Sequence, residues 1–336
     1  SRRHDAASRA PGGGGSYWQP KVGAVTGVGE GSERTWRTPR PLQLGAVLAV
    51  FRRGPGDRAY HSGADGSVIR CVRTPAGPAS VRLLATPRHT EVSATAWGPG
   101  ATWALEYAPD WVGDGDDPSG FEPRHPAVAQ ALRRFPGWRV PRSRLVLDAL
   151  VPAIIEQKVT GQEAFRGYTA LVRRFGEVAP GPPGEAGMLV PPDADGWRRI
   201  PSWEFLSAPV DFARADTIQR VCRVAESLGR LAAVPGPDAR ARLQTVPGVG
   251  RWTAAEVAQR ALGDADAVSF GDYHVAKNIG WALTGTEVDD DGLEELLQTY
   301  AGHRFRVQRL LELGGFSRPR RGARMAPRTH LPTRRG

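Results

Sequence analysis

The sequence predicts an α+β chain: a small antiparallel sheet with accompanying helices, followed by an all-α domain. Three observations lead there. Between residues 36 and 117 apolar side chains alternate in short runs bounded by Gly or Pro, as on half-buried strands. From His125 onward they recur at three and four residues, the spacing of one helix face. The two regimes meet at Gly113-Asp114-Gly115-Asp116-Asp117-Pro118, a stretch with the composition of a linker.

Residues 1–35 are rich in Gly, Ser and Arg, with glycine at every position from 12 to 15, and read as a disordered tail. Within 36–117, the α+β N-terminal domain, helices are expected over 42–51 and 101–112, and strands over 58–62, 67–74, 80–84 and 90–97. The acidic linker spaces its carboxylates as a calcium loop does but lacks the glutamate that closes one, so it reads as a solvated hinge. Residues 118–316 form the all-α domain. Its helices are expected over 125–135, 145–175, 203–206, 211–231, 239–245, 251–262, 273–283, 291–302 and 304–313, with a Pro/Gly loop over 180–196. Residues 317–336 are a basic tail, also expected to be disordered.

The bulk properties narrow the class. A chain of 336 residues, 40% apolar and with ten tryptophans, supports real cores in about two domains. No apolar run reaches the roughly 18 residues of a membrane span, and the start lacks a signal-peptide pattern, so a cytoplasmic location away from membranes is expected. Cys71 and Cys222 are isolated, which fits a reducing compartment and excludes a four-cysteine iron–sulfur site. The net charge is +10, but residues 1–35 supply +2 and residues 318–336 supply +7 through seven arginines, so the middle is nearly neutral. Charge therefore supports nucleic-acid contact through the arms and does not by itself define a basic cleft.

One stretch organises the helical half. Leu243 and Val246 end one apolar-periodic segment, Trp252, Ala255, Ala258 and Leu262 begin another, and Pro247-Gly248-Val249-Gly250 separates them. Proline stops the first helix, and the glycines let a ligand approach the main chain. Free N–H groups and the positive end of the second helix make such a turn suited to one phosphate. Asp272 follows 22 residues after Gly250, in Phe270-Gly271-Asp272-Tyr273-His274-Val275, at the mouth of a third helix. Asp at a helix start is commonly an N-cap.

The run from Leu243 to Ala254, followed by an Asp-Tyr pair at this separation, resembles the helix-hairpin-helix DNA glycosylase superfamily. Within it the match is nearest to the AlkA-like 3-methyladenine glycosylases. It is specific over 127–314, loose over 36–113, and does not reach the tails. The resemblance implies a monomer that flips a damaged, chiefly alkylated, purine out of double-stranded DNA and hydrolyses its glycosidic bond in base excision repair, in a bacterial cytoplasm at the nucleoid.

In that comparison Asp272 is the catalytic carboxylate, and Trp252, Glu256 and Tyr273 form the base pocket. Trp252 stands where relatives that also nick the backbone carry a Schiff-base lysine, which implies a monofunctional enzyme. Gly248, Gly250 and Thr253 would hold phosphate through main-chain N–H groups, with His274 and Lys277 nearby. Gln157 and Lys158 would enter the gap left by the flipped nucleotide, although Lys158 replaces a leucine. Glu256 likewise replaces a pocket aromatic, so a carboxylate would face a cationic base or accept hydrogen bonds from a neutral one. Arg304 and Arg306 are phosphate contacts on charge alone. No cofactor and no side-chain metal site are expected; the carbonyls of Gln244, Val246 and Val249 match a hairpin site for Na+ or K+. The rival expectations are a glycosylase for oxidised or deaminated bases and a non-catalytic helix-hairpin-helix DNA-binding protein.

Overall fold

A computed structural model of the chain describes residues 31–319, except positions 87 and 89. Alternation of apolar residues builds one five-stranded antiparallel sheet. Its strands are β1 (Ser32–Arg37), β2 (Tyr60–Ser62), β3 (Val68–Thr74), β4 (Gly77–Ala85) and β5 (Glu91–Trp97), in the order β1-β5-β4-β3-β2. Val92, Ala94 and Ala96 of β5 are buried while the residues between them are not, the period of two that the sequence displays. Strand β1 corrects the expected tail: residues 32–35 pair with β5 from Ser32↔Ala96 to Thr35↔Ser93. This edge strand is held by main-chain bonds and is largely exposed, so it has no apolar pattern to reveal it. The rest of that tail, and nearly all of the basic one, lie outside the described residues. Helices α1 (Leu44–Leu48, extended by a 3-10 turn Ala49–Phe51) and α2 (Ala101–Trp111) complete this unit.

The acidic stretch is not a solvated hinge. Asp114 accepts the indole N–H of Trp36 at 2.7 Å and pairs with buried Arg139. Asp116 takes both ends of the Arg306 guanidinium, at 2.9 and 2.6 Å, and both side chains are 3% exposed. These carboxylates tie the sheet unit to the far end of the chain.

The helical part contains α3 (Pro126–Arg134), α4 (Val146–Ile155), α5 (Gly161–Phe175), α6 (Pro182–Glu185), α7 (Ala194–Arg199), α8 (Ser202–Ser207), α9 (Phe212–Arg223), α10 (Ala225–Gly229), α11 (Gly236–Leu243), α12 (Arg251–Val257), α13 (Val275–Thr284), α14 (Asp290–Leu297) and α15 (Arg304–Gly314). It is not all-α: a two-stranded ribbon, Glu177–Val178 with Leu189–Val190, lies partly in the expected loop, which also holds α6 and the start of α7. The helix expected over 145–175 breaks in two. Thr160 opens α5 with a capping box, its hydroxyl accepting from the Glu163 amide while the Glu163 carboxylate accepts from the Thr160 amide. The segment expected over 211–231 divides at Val224, and α12 runs on as a π turn, Ala258–Leu262. The carbonyls of Arg260 and Ala261 in that turn are taken by the amides of Ser143 and Arg144.

Three large apolar cores and a small cluster of Cys71, Ala179, Met188 and Val190 result. One spans α4 to α12 and its π turn. A second joins the sheet and α2 to Trp138, Val140 and Leu145 and to Phe305 and Leu310 of α15. The third packs Val128 of α3 against α13, α14 and α15. The sheet unit thus shares a core with the last helix, and the cleft described next opens where all three bodies meet.

Candidate active site

The two hairpin glycines do different work. Gly248 has φ +95°, and a Cβ on it would lie 2.4 Å from Thr217 Oγ1 of α9, so both backbone and packing require glycine. Gly250 has φ −92°, and nothing lies within 4 Å of a Cβ built there. The amides of Gly248 and Gly250 have no main-chain acceptor among the described residues. They sit at the start of α12, where N–H groups suit an anion. The Gln157 amide donates to the Gly248 carbonyl at 2.9 Å and to Thr253 Oγ1 at 2.8 Å. Gln157 therefore holds the hairpin rather than offering a free side chain to DNA, and Thr253 is buried. Arg220 braces the same turn by donating to the Pro247 carbonyl at 2.7 Å. Lys158 is exposed between α4 and α5 with φ +57°, an unusual backbone for lysine.

Asp272 caps a helix and faces the cleft at once. Its Oδ1 accepts the amides of His274 and Val275, at 2.8 and 3.2 Å, at the start of α13. Its Oδ2 accepts the Trp252 indole N–H at 3.2 Å. Tyr273 departs from expectation. Its side chain is 68% exposed and does not line the cleft; it stands edge-on to His274, with the Lys277 ammonium 4.1 Å from its ring centroid. Consecutive residues of a helix-entry turn diverge, so with Asp272 turned inward Tyr273 turns out. Tyr273, His274 and Lys277 form one exposed aromatic and basic cluster beside Asp272.

The cleft has a volume of about 200 Å³. Trp252 and Glu256 enter it from α12, Asp272 from the mouth of α13, Gln308 and Arg309 from α15, and Val50 from the sheet unit. Glu256 is 7% exposed and fully engaged, pairing with Arg260 at 2.7 Å and accepting from Ser269 Oγ at 2.6 Å. Ser269 Oγ also accepts from Gln259 and Gln308. Arg260 reaches across to the Val50 carbonyl at 3.1 Å. Glu156 pairs with Arg53 of the sheet unit at 3.0 Å; burial pushes its carboxyl up, against the pull of the Arg53 charge. The wall is thus a polar network with two rings, Trp252 and Phe305.

Glu156, Arg260, Ser269, Gln308 and Arg309 were not among the expected site residues. Their only sequence signal is polarity on otherwise apolar helix faces, as in the run Val307-Gln308-Arg309-Leu310. Arg306 and Arg304 are not phosphate contacts here. The first is buried against Asp116, and the second pairs with Asp266 at 3.1 Å. Both cysteines are free and buried, and burial pushes each thiol up to about 12, so neither is a nucleophile at neutral pH. No cluster of three or more His, Cys, Asp or Glu able to hold a metal occurs among the described residues, and no helix there is long and apolar enough to cross a membrane.

By sequence, no protein-family model and no curated protein matches the chain. By structure it is similar to a 3-methyladenine DNA glycosylase from Archaeoglobus fulgidus, with TM-score 0.68 and 16% identity over 84% of this chain and 99% of that one. It is also similar to an 8-oxoguanine glycosylase/lyase from Clostridium acetobutylicum, with TM-score 0.64 and 13% identity over 85% of this chain and 99% of that one. The same enzyme with double-stranded DNA containing cytosine opposite 8-oxoG superposes with TM-score 0.61 at 13% identity, over 84% of this chain and 97% of that one. The chain has the helix-hairpin-helix DNA glycosylase fold.

Proposed function

We propose that the protein is a monofunctional DNA glycosylase that extrudes a damaged purine from duplex DNA and hydrolyses its N-glycosidic bond. The observation that carries this is Asp272, held between the Trp252 indole and the amides of His274 and Val275 with a cleft of base-accepting size behind it. Breaking the bond builds positive charge on the sugar, which a fixed carboxylate stabilises. The carboxylate also orients the water that completes hydrolysis and leaves an abasic site. The hairpin amides grip a phosphate, and the Tyr273, His274 and Lys277 cluster lies where flanking backbone would pass. Trp252 in place of an amine, with no lysine lining the cleft, supports the monofunctional assignment.

The resemblance names alkylated purines as substrates. The same proposal has the protein act as a monomer in the cytoplasm. It also includes a monovalent cation on the hairpin carbonyls of Gln244, Val246 and Val249. Of these, Val246 accepts one amide, that of Val249, and keeps a lone pair. The deciding experiment incubates the protein with duplexes carrying different lesions and scores free base. Release from none, with DNA still bound, would leave the non-catalytic binding protein standing.

A further inference from the structure

We propose that the cleft selects a neutral purine carrying an added exocyclic oxygen, an oxidised or deaminated purine, over a cationic alkylated one. This inference rests on the glycosylase assignment and concerns only what fills the pocket.

The first ground is charge. Each glutamate of the wall has its own guanidinium: Glu256 with Arg260 at 2.7 Å, Glu156 with Arg53 at 3.0 Å, and Glu312 with Arg309 at 2.9 Å. The one wall carboxylate outside these pairs is Asp272, whose place is beside the sugar. A cationic base would enter beside the guanidiniums of Arg260 and Arg309 with no spare carboxylate facing it, and charges of one sign repel strongly in a poorly solvated cleft. Electron-rich ring faces are the other way to hold a cation. Here Trp252 supplies one, with its indole N–H already committed to Asp272.

The second ground is an unused donor. Arg309 lines the cleft, its Nη1 is held by Glu312 at 2.9 Å, and its Nη2 donates to no group among the described residues. A carbonyl oxygen on the base supplies the missing acceptor; an adenine-type amino group or a ring methyl does not.

The third ground is the chemistry of departure. A cationic base takes the electron pair of the breaking C1′–N9 bond and leaves neutral. A neutral base takes the same pair and leaves as an anion. Water adds its oxygen to C1′, and the proton it releases neutralises the departing base. Guanidinium donors aimed at an exocyclic oxygen stabilise that developing negative charge, and such donors are useful only for a neutral leaving base. Arg309 is the wall group that can serve so, because Arg260 is committed to Val50 and Glu256.

The test is single-turnover base release from four otherwise identical duplexes, holding hypoxanthine, 8-oxoguanine, 7-methylguanine or 3-methyladenine. At least one oxo-purine should be released about tenfold or more faster than either methylated purine. Arg309→Met, which keeps the packed stem and removes the donors, should slow the oxo-purine about tenfold or more and leave methylated-purine release much less affected. Faster release of a methylated purine overturns the inference and leaves the glycosylase assignment intact. Equal slowing of both classes by Arg309→Met also overturns it, by making the arginine merely structural. Release from none of the four overturns the inference together with the assignment it rests on.

Discussion

One oxygen of Asp272 caps α13 and the other receives the Trp252 indole, so the cap does not preclude the proposed catalytic role. Asp272→Asn keeps a capping carbonyl and should cost little stability, within about 1 kcal/mol by thermal unfolding. It should nonetheless lower single-turnover base release by on the order of 100-fold or more, because the neutral amide cannot stabilise the sugar cation. A variant that releases base at the parental rate would reduce Asp272 to a cap. At the same scale, borohydride reduction during turnover should trap no covalent protein–DNA adduct, since Trp252 offers no amine. A lesion-dependent adduct would point to Lys158.

Among the elements, the hairpin makes the most discriminating prediction because its glycines differ. Gly248→Ala forces an L side chain to φ +95° and into Thr217, so it should destabilise the fold by about 1–3 kcal/mol in denaturant titration. Gly250→Val meets open space and should leave unfolding nearly unchanged. Its side chain would cover the free amides and should weaken binding to all duplex sequences alike, because phosphate contacts carry no sequence information. Equal DNA affinity for the folded Gly250→Val protein would make the hairpin only a corner. The hairpin was legible because proline, paired glycines and helical periodicity lie side by side in the chain. Its clamp was not, because Gln157 lies far away in sequence and only packing of α4 on α12 brings it within reach.

For the molecule as a whole, the sheet unit and the helical part are joined by a shared apolar core and buried ion pairs rather than by a flexible linker. Asp116→Ala leaves Arg306 buried without its partner and should destabilise the protein by about 3–5 kcal/mol. A change of less than about 1 kcal/mol would show that the clamp is hydrated. The basic residues near the C-terminus make a separate prediction. Removing residues 320–336 takes away six arginines and should flatten the slope of log affinity against log salt, by about 0.9 for each phosphate the arm no longer neutralises. An unchanged slope would make the arm a bystander.

The chain by itself determined four of the five sheet strands, the helical second half, the hairpin and the Asp272 position, because each is written in local periodicity or in residues a few places apart. It did not show strand β1, which has no apolar alternation, and it hid the break at Thr160 within a longer apolar rhythm despite the Thr160–Glu163 box. Tertiary structure alone decided which carboxylates are free. Glu256 reads in sequence as a carboxylate available to a base, and Arg260 and Ser269 already occupy it. Arg306 reads as a DNA contact, and Asp116, distant in sequence, buries it. Whether a charged side chain serves a ligand or the fold depends on what packs within a few ångströms of it, and for long side chains that neighbour comes from elsewhere in the chain.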